Sequence, residues 1–236
     1  MHTSKESTAA VDVLALVRDL QPPFLAGLSR AELCAVVGAA DCCRFDANSV
    51  ILSQGCPARK VVLLIAGEAR STFTTLDGER LLLRWMRPGE VIGIAALLPP
   101  RDYFLSTEAV KESCGLVWEA AVLRRLATRY SAMWENAFAI VSHALGGYIA
   151  VHVSQMRHSA PQRLARVLVD LAEAIGHSTP AGIELNVRNE DLANAANVTP
   201  FTASRLLNQW QRSGVIAKSR GKIVVRTLEG LFLRQA

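Results

Sequence analysis

Near the C-terminus the chain reads Arg188-Asn-Glu-Asp-Leu-Ala-Asn-Ala-Ala-Asn-Val-Thr-Pro-Phe-Thr-Ala-Ser-Arg-Leu-Leu-Asn-Gln-Trp-Gln-Arg-Ser-Gly-Val-Ile216. Two helices are punctuated here. Asn189 is the expected N-cap of the first, and Glu190 and Asp191 place negative charge in its first turn. Asn197-Val198 ends it. Thr199 caps the second helix, with Pro200 at the first position, where a missing N–H costs nothing. Gly214 suits the left-handed residue past a helix end.

The second helix sorts its residues by face. Ala203, Leu206, Leu207 and Trp210 fall at i, i+3, i+4, i+7 and predict one buried stripe. Phe201, Thr202, Arg205, Asn208 and Gln209 fall elsewhere and face outward. A helix, a short turn and a second helix with polar donors near its start is the geometry that enters a DNA major groove. Arginine can grip guanine O6 and N7, and threonine or asparagine can bond bases or phosphates. Val215–Ala217 and Ile223–Val225 then flank Lys218-Ser-Arg220-Gly-Lys222, a hairpin with a basic tip. From Arg205 to Arg226 there are six basic residues and no acid. The candidate DNA-binding set is therefore Arg188, Asn189, Thr199, Pro200, Phe201, Thr202, Ser204, Arg205, Asn208, Lys218, Arg220 and Lys222.

This stretch resembles, without a gap from Arg188 to Ile216, the winged helix of the cyclic-AMP receptor / fumarate-nitrate regulator (Crp/Fnr) superfamily. By that resemblance Arg205 stands at the family's guanine-contacting arginine. Phe201 stands where the family often has a glutamate, so the preferred site should differ from that of the cyclic-AMP receptor.

Working outward, the chain has 236 residues, half of them hydrophobic, enough for one or two domains with real cores. The net charge of +5 is unevenly placed. Residues 161–236 carry ten Lys/Arg against six Asp/Glu, so the basic excess sits with the expected DNA reader. No signal peptide is visible, and Ser142, His143 and His152 interrupt the most apolar run, 137–153. The expectation is a cytoplasmic protein without membrane contact. Five cysteines, an odd count without metal-type spacing, are expected to be plain reduced thiols, with redox sensing as the alternative.

Residues 11–18 hint at a helix that Pro22-Pro23 stops. Ser29 and Glu32 form a capping box for another, with Leu33, Val36 and Val37 inward. From Phe45 the pattern changes to short apolar runs: 50–52, 61–65, 69–74, 81–85, 91–92, 106–110 and 115–118. Turn residues separate them, and Asp77-Gly78 is a hairpin signal. Strands at this spacing predict an antiparallel barrel or sandwich. Ile51-Leu52-Ser-Gln54-Gly55-Cys-Pro57, Ile65-Ala-Gly67 and Pro88-Gly89-Glu90-Val-Ile92-Gly93 resemble the β-roll of cyclic-nucleotide-binding domains. A short helix is expected over 120–130 and a long one over 131–158. In the long one Trp134, Phe138, Val141, Leu145, Tyr148 and His152 step by four and three, a seam for a second copy. Gly146-Gly147 would let another backbone approach closely, although each glycine weakens a helix by about 1 kcal/mol. Residues 159–161 read as a hinge, 162–175 as a helix, 176–182 as a turn and 183–187 as a strand.

The expected class is α+β: a cyclic-nucleotide-binding-like β-roll, a long dimerisation helix and a C-terminal winged helix-turn-helix. The segments are 1–23, a tail with a short helix; 24–130, the β-roll; 131–158, the dimerisation helix; and 159–236, the DNA-binding domain. No phosphate-cradling loop, zinc-type spacing or nucleophile elbow occurs, so no enzyme is expected. The partners implied are double-stranded DNA, a second copy of the chain and, for an activator, RNA polymerase.

The effector reading rests on the resemblance. A cyclic-AMP pocket needs a glutamate for the ribose and an arginine–serine pair for the cyclic phosphate. The glutamate's place is Ile94, and the pair falls, allowing one deleted residue, at about Tyr103-Phe104. That argues against cyclic AMP and for an apolar cavity lined by Val91, Ile94, Leu97, Leu98, Tyr103, Phe104, Leu145 and Tyr148. A hydrophobic ligand, haem held by His143 or His152, or no ligand at all remain open.

Overall fold

A computed structural model describes residues 13–98, 101–219 and 221–232. The chain separates into two compact units, 1–80 with 86–145 and 81–85 with 146–236.

The first unit starts with helix α1 over 13–20, a 3-10 turn at Pro23–Leu25 and helix α2, Arg30–Gly38. The capping box of α2 is formed in both directions, with Glu32 N–H donating to Ser29 Oγ and Ser29 N–H to Glu32 Oε2. Eight strands follow: β1 Asp41–Phe45, β2 Val50–Leu52, β3 Lys60–Ala66, β4 Ala69–Thr74, β5 Arg80–Met86, β6 Val91–Ile92, β7 Ser106–Ala109 and β8 Ser113–Glu119. They make two four-stranded sheets, ordered β1-β8-β3-β6 and β2-β7-β4-β5. The expected strands are all present. β1 was not expected; its Asp-Cys-Cys-Arg-Phe sequence has no apolar alternation, and pairing with β8 is what makes it a strand. β3 lies between β8 and β6, and its Val61–Ile65 run is buried throughout. Gly78 takes φ +86 in the expected hairpin turn.

Helix α3, Ala120–Arg129, continues directly from β8. Trp118, at the end of β8, is fully buried and donates its indole N–H to Val36 O at 2.8 Å, fastening α2 to the sheet. Helix α4, Ala132–Arg157, is 26 residues long. Its buried residues are Met133 and Ala137, which join the core of the first unit. Burial on several sides was expected; in the single chain the helix is covered only over these first turns. Gly146 and Gly147 have open space around them.

The second unit contains helix α5 Ala160–Ile175, strands β9 His177–Thr179 and β10 Gly182–Leu185, helices α6 Asn189–Ala195 and α7 Pro200–Arg212, and strands β11 Ile216–Ser219 and β12 Lys222–Val225. The sheet order is β11-β12-β10-β9. Two expectations change here. The hinge shrinks to His158-Ser159, because Ser159 and Gln162 form a capping box and Pro161 lies in the first turn of α5. Residues 176–182 are a β-arm rather than a plain turn, because β9 pairs with β10 although it contains no apolar residue. Leu164, Leu168, Leu185, Leu192, Leu207 and Trp210 form the core of this unit, each worth about 1.5–3 kcal/mol on burial.

Candidate nucleic-acid interface

The helix pair is built by matching terminations. α6 ends with Asn197 at φ +49, Asn197 N–H bonded to Asn194 O and Val198 N–H to Ala193 O. α7 ends with Gly214 at φ +77, Gly214 N–H bonded to Gln211 O and Val215 N–H to Trp210 O. Both are Schellman closures, the first using asparagine where glycine is commoner. At the start of α7, Thr199 Oγ1 accepts from Thr202 N–H at 3.1 Å and its hydroxyl pairs with that of Thr202 at 2.9 Å. These two threonines, expected to face DNA, are therefore already engaged in capping. The cap of α6 moves by one residue: Arg188 is the N-cap and Asn189 the first helical residue. No side chain caps this end; Arg188 instead pairs with Asp191 at 3.1 Å.

α7 divides as its sequence predicts. Ala203, Leu206, Leu207 and Trp210 are buried. Phe201 is 78% exposed, Arg205, Asn208 and Gln209 are exposed, Pro200 is exposed at the helix start, and Thr202 and Ser204 are half-buried. β11 reaches Ser219 and β12 begins at Lys222, beyond the apolar runs from which they were expected. Arg220 lies outside the described residues. Gly221 takes φ +74.

The wing is tied down by polar contacts. Lys218 Nζ donates to Asn208 Oδ1 at 3.1 Å, joining wing to α7. Lys222 Nζ pairs with Glu184 Oε1 at 2.7 Å, so part of its charge is already neutralised. A cavity of about 330 Å³ opens between the wing and the start of α6, lined by Arg188, Asn189, Lys218, Ser219 and Lys222 among others. Three cations and the first turn of a helix thus converge on one concave surface, an arrangement suited to a phosphate oxygen.

Sequence reasoning missed Arg163. Its guanidinium donates to His158 O at 2.9 Å, Ala196 O at 2.8 Å and Asn197 O at 2.9 Å. One side chain therefore joins the segment after α4 to the turn between α6 and α7. Its only sequence trace is a basic residue four positions after the hinge serine.

The expected effector residues differ in burial. Val91, Leu97 and Tyr103 lie within the packed core of the first unit, with Ile94 against it. Leu98 and Phe104 are exposed. Burial raises the pKa of the Tyr103 phenol, and its hydroxyl donates to Lys60 O and accepts from Lys60 N–H, both at 2.8 Å. On α4, Leu145 and Tyr148 are exposed, as are the other seam residues, Trp134, Phe138, Val141 and His152. His143 is exposed as well. Among the described residues no cluster of three or more His, Cys, Asp or Glu could hold a metal.

Comparison with known proteins finds two matching segments, one on either side of α4. Residues 162–232 match the Crp-like helix-turn-helix domain family, and residues 42–130 match the cyclic nucleotide-binding domain family. The transcriptional regulator SdrP of Thermus thermophilus is 25% identical, over 79% of this chain and 90% of its own length. LdrP, from the same species, is 26% identical over 80% and 93%. The structure of the c-di-GMP-responsive global regulator Clp of Xanthomonas campestris has the same fold, with a TM-score of 0.75 at 17% identity, covering 84% of this chain and all of that one.

Proposed function

From its place in the Crp/Fnr family of transcription regulators, to which this chain belongs, we propose a homodimeric one-component regulator that binds a near-palindromic DNA site in the cytoplasm under the control of an effector in the β-roll. The observation that carries the DNA half is the outward face of α7. Phe201, Arg205 and Asn208 are presented on a helix closed at both ends, beside a wing and a three-cation cavity. Arg205 reads a guanine, Phe201 packs on a thymine methyl or a sugar, and Arg188, Lys218 and Lys222 position the phosphates. Two copies would bind half-sites about one helical turn apart. An activator of this kind would also contact RNA polymerase.

Dimerisation rests on α4. Phe138 is 76% and Leu145 59% exposed, with Trp134, Val141, Tyr148 and Ile149 also open. By length and composition this helix could also cross a bilayer, but Met133 and Ala137 pack into the first unit's core, which favours a second copy of the helix as its cover. The effector is read as something other than cyclic AMP. Ile94 offers a ribose hydroxyl no partner, and the Tyr103 hydroxyl is occupied by the Lys60 backbone.

Selection of bound duplexes from a random pool, followed by footprinting, tests the proposal. It expects a two-fold symmetric site with its half-site centres about one turn apart; enrichment of no sequence would refute it. Titration with cyclic AMP and cyclic GMP tests the effector reading, which fails if either binds tightly and raises operator affinity.

A further inference from the structure

Two of the five cysteines meet. β1 and β8 are antiparallel, with Cys42 opposite Leu116 and Arg44 opposite Cys114. Cys42 and Cys114 are thus diagonal neighbours on one face of the sheet, and their sulfurs lie 3.4 Å apart. Cys42 is exposed, so it adds little as a packing residue, whereas Cys114 is half-buried. Burial, and then the hydrogen bond to the Cys42 sulfur, push the Cys114 thiol up to about 11. A thiolate metal site would need further donors, and none are clustered here among the described residues. Two free thiols in contact on paired strands, one open to solvent, are the starting geometry for a disulfide; closing the sulfurs to about 2.05 Å completes it.

We propose that Cys42 and Cys114 form an oxidisable dithiol that a peroxide converts into an intramolecular disulfide. Cys42 is the sulfur that peroxide reaches. As a thiolate it attacks one peroxide oxygen, the O–O bond breaks, and the departing hydroxide takes up one proton and leaves as water. Cys42 is then a sulfenic acid. Cys114 gives up its proton and attacks Cys42 Sγ, and the sulfenic hydroxyl leaves with that proton as a second water. The two thiols lose two electrons and two protons, and hydrogen peroxide gains both. This inference does not depend on the DNA-binding reading.

The test treats the reduced full chain with stoichiometric hydrogen peroxide and counts free thiols. The count should fall from five by two, to three, and dithiothreitol should restore it. Cys42→Ser should keep all four remaining thiols, Cys114→Ser should lose only the Cys42 thiol, held as a sulfenic acid, and Cys43→Ser should still lose two. Non-reducing peptide mapping should join the Cys42 and Cys114 peptides within one chain. The proposal is overturned by an unchanged thiol count, by bridges between copies, by sulfinic acid at Cys42 without a bridge, or by protection in Cys43→Ser.

Discussion

α7 and α4 both carry an apolar stripe, and their stripes meet opposite fates. In α7 the stripe of Ala203, Leu206, Leu207 and Trp210 is buried within the chain. In α4 the stripe from Phe138 to Met156 is exposed. The remaining faces explain the difference. α7 carries Arg205, Gln209 and Arg212 opposite its stripe, so one side is made for water. Between Ala137 and Met156, α4 has no Asp, Glu, Lys or Arg on any side. A helix with one wet face completes its own domain; a helix with none is built to be covered by something else.

The largest effect should follow from charging the uncovered helix. Leu145→Glu would put an unpaired carboxylate in the contact at a cost of about 3–5 kcal/mol. Sedimentation should show monomers, and binding to the selected operator should vanish. A variant that remains dimeric would mean that the exposed stripe has another purpose. Arg163→Ala tests the other region: three carbonyls lose a charged donor. Denaturant titration should show a loss of about 1.5–3 kcal/mol in the winged-helix unit, while sedimentation still reports a dimer. Coupled loss of both would erase the distinction drawn between the helices.

Arg205→Ala should weaken operator binding by about 1–3 kcal/mol and relax the preference at one base position per half-site. Wild-type affinity for the selected site would remove Arg205 from base readout. The smallest effect belongs to Lys222→Ala, which should weaken all sequences alike and reduce the salt slope by less than about one unit, because Glu184 already shares its charge. Glu184→Gln should act in the opposite direction and steepen the salt dependence. A slope in Glu184→Gln equal to that of the wild type would show that the ion pair opens on DNA.

What the sequence revealed follows the range of each interaction. The start and end of α7 were legible because Thr199, Pro200 and Gly214 act through neighbours within a few residues. The apolar runs of β2 to β8 were legible because burial imposes its pattern on each strand separately. β1 and β9 were not: Asp41–Phe45 and His177–Thr179 are strands because β8 and β10 offer them backbone partners, not because of their own side chains. The cap of α6 slipped by one residue because Asn189 suits an N-cap by type, whereas the chain places Arg188 there. In the interface, the outward face of α7 could be read from helical spacing. The Lys222–Glu184 pair and the Arg163 bonds, which join residues more than thirty positions apart, could not. The burial of the individual effector residues was not legible either, because hydrophobic residues near a turn look the same whether they wall a pocket or fill a core, as Val91 and Leu97 do.

Gly146 and Gly147 sit in the middle of α4, where the two compact units divide and where, among the described residues, open space stands at the position of each missing Cβ. Relative to alanine, the pair lowers local helix stability by about 2 kcal/mol. Breathing of the backbone should therefore concentrate there. In a dimeric sample, hydrogen exchange at the amides just after the pair should run up to about thirty-fold faster than in the Gly146→Ala/Gly147→Ala double variant, at equal global stability. The helix proposed to hold two subunits together would then carry its own weakest point, and a ligand that stiffens or loosens it could act without any rearrangement visible in the average coordinates.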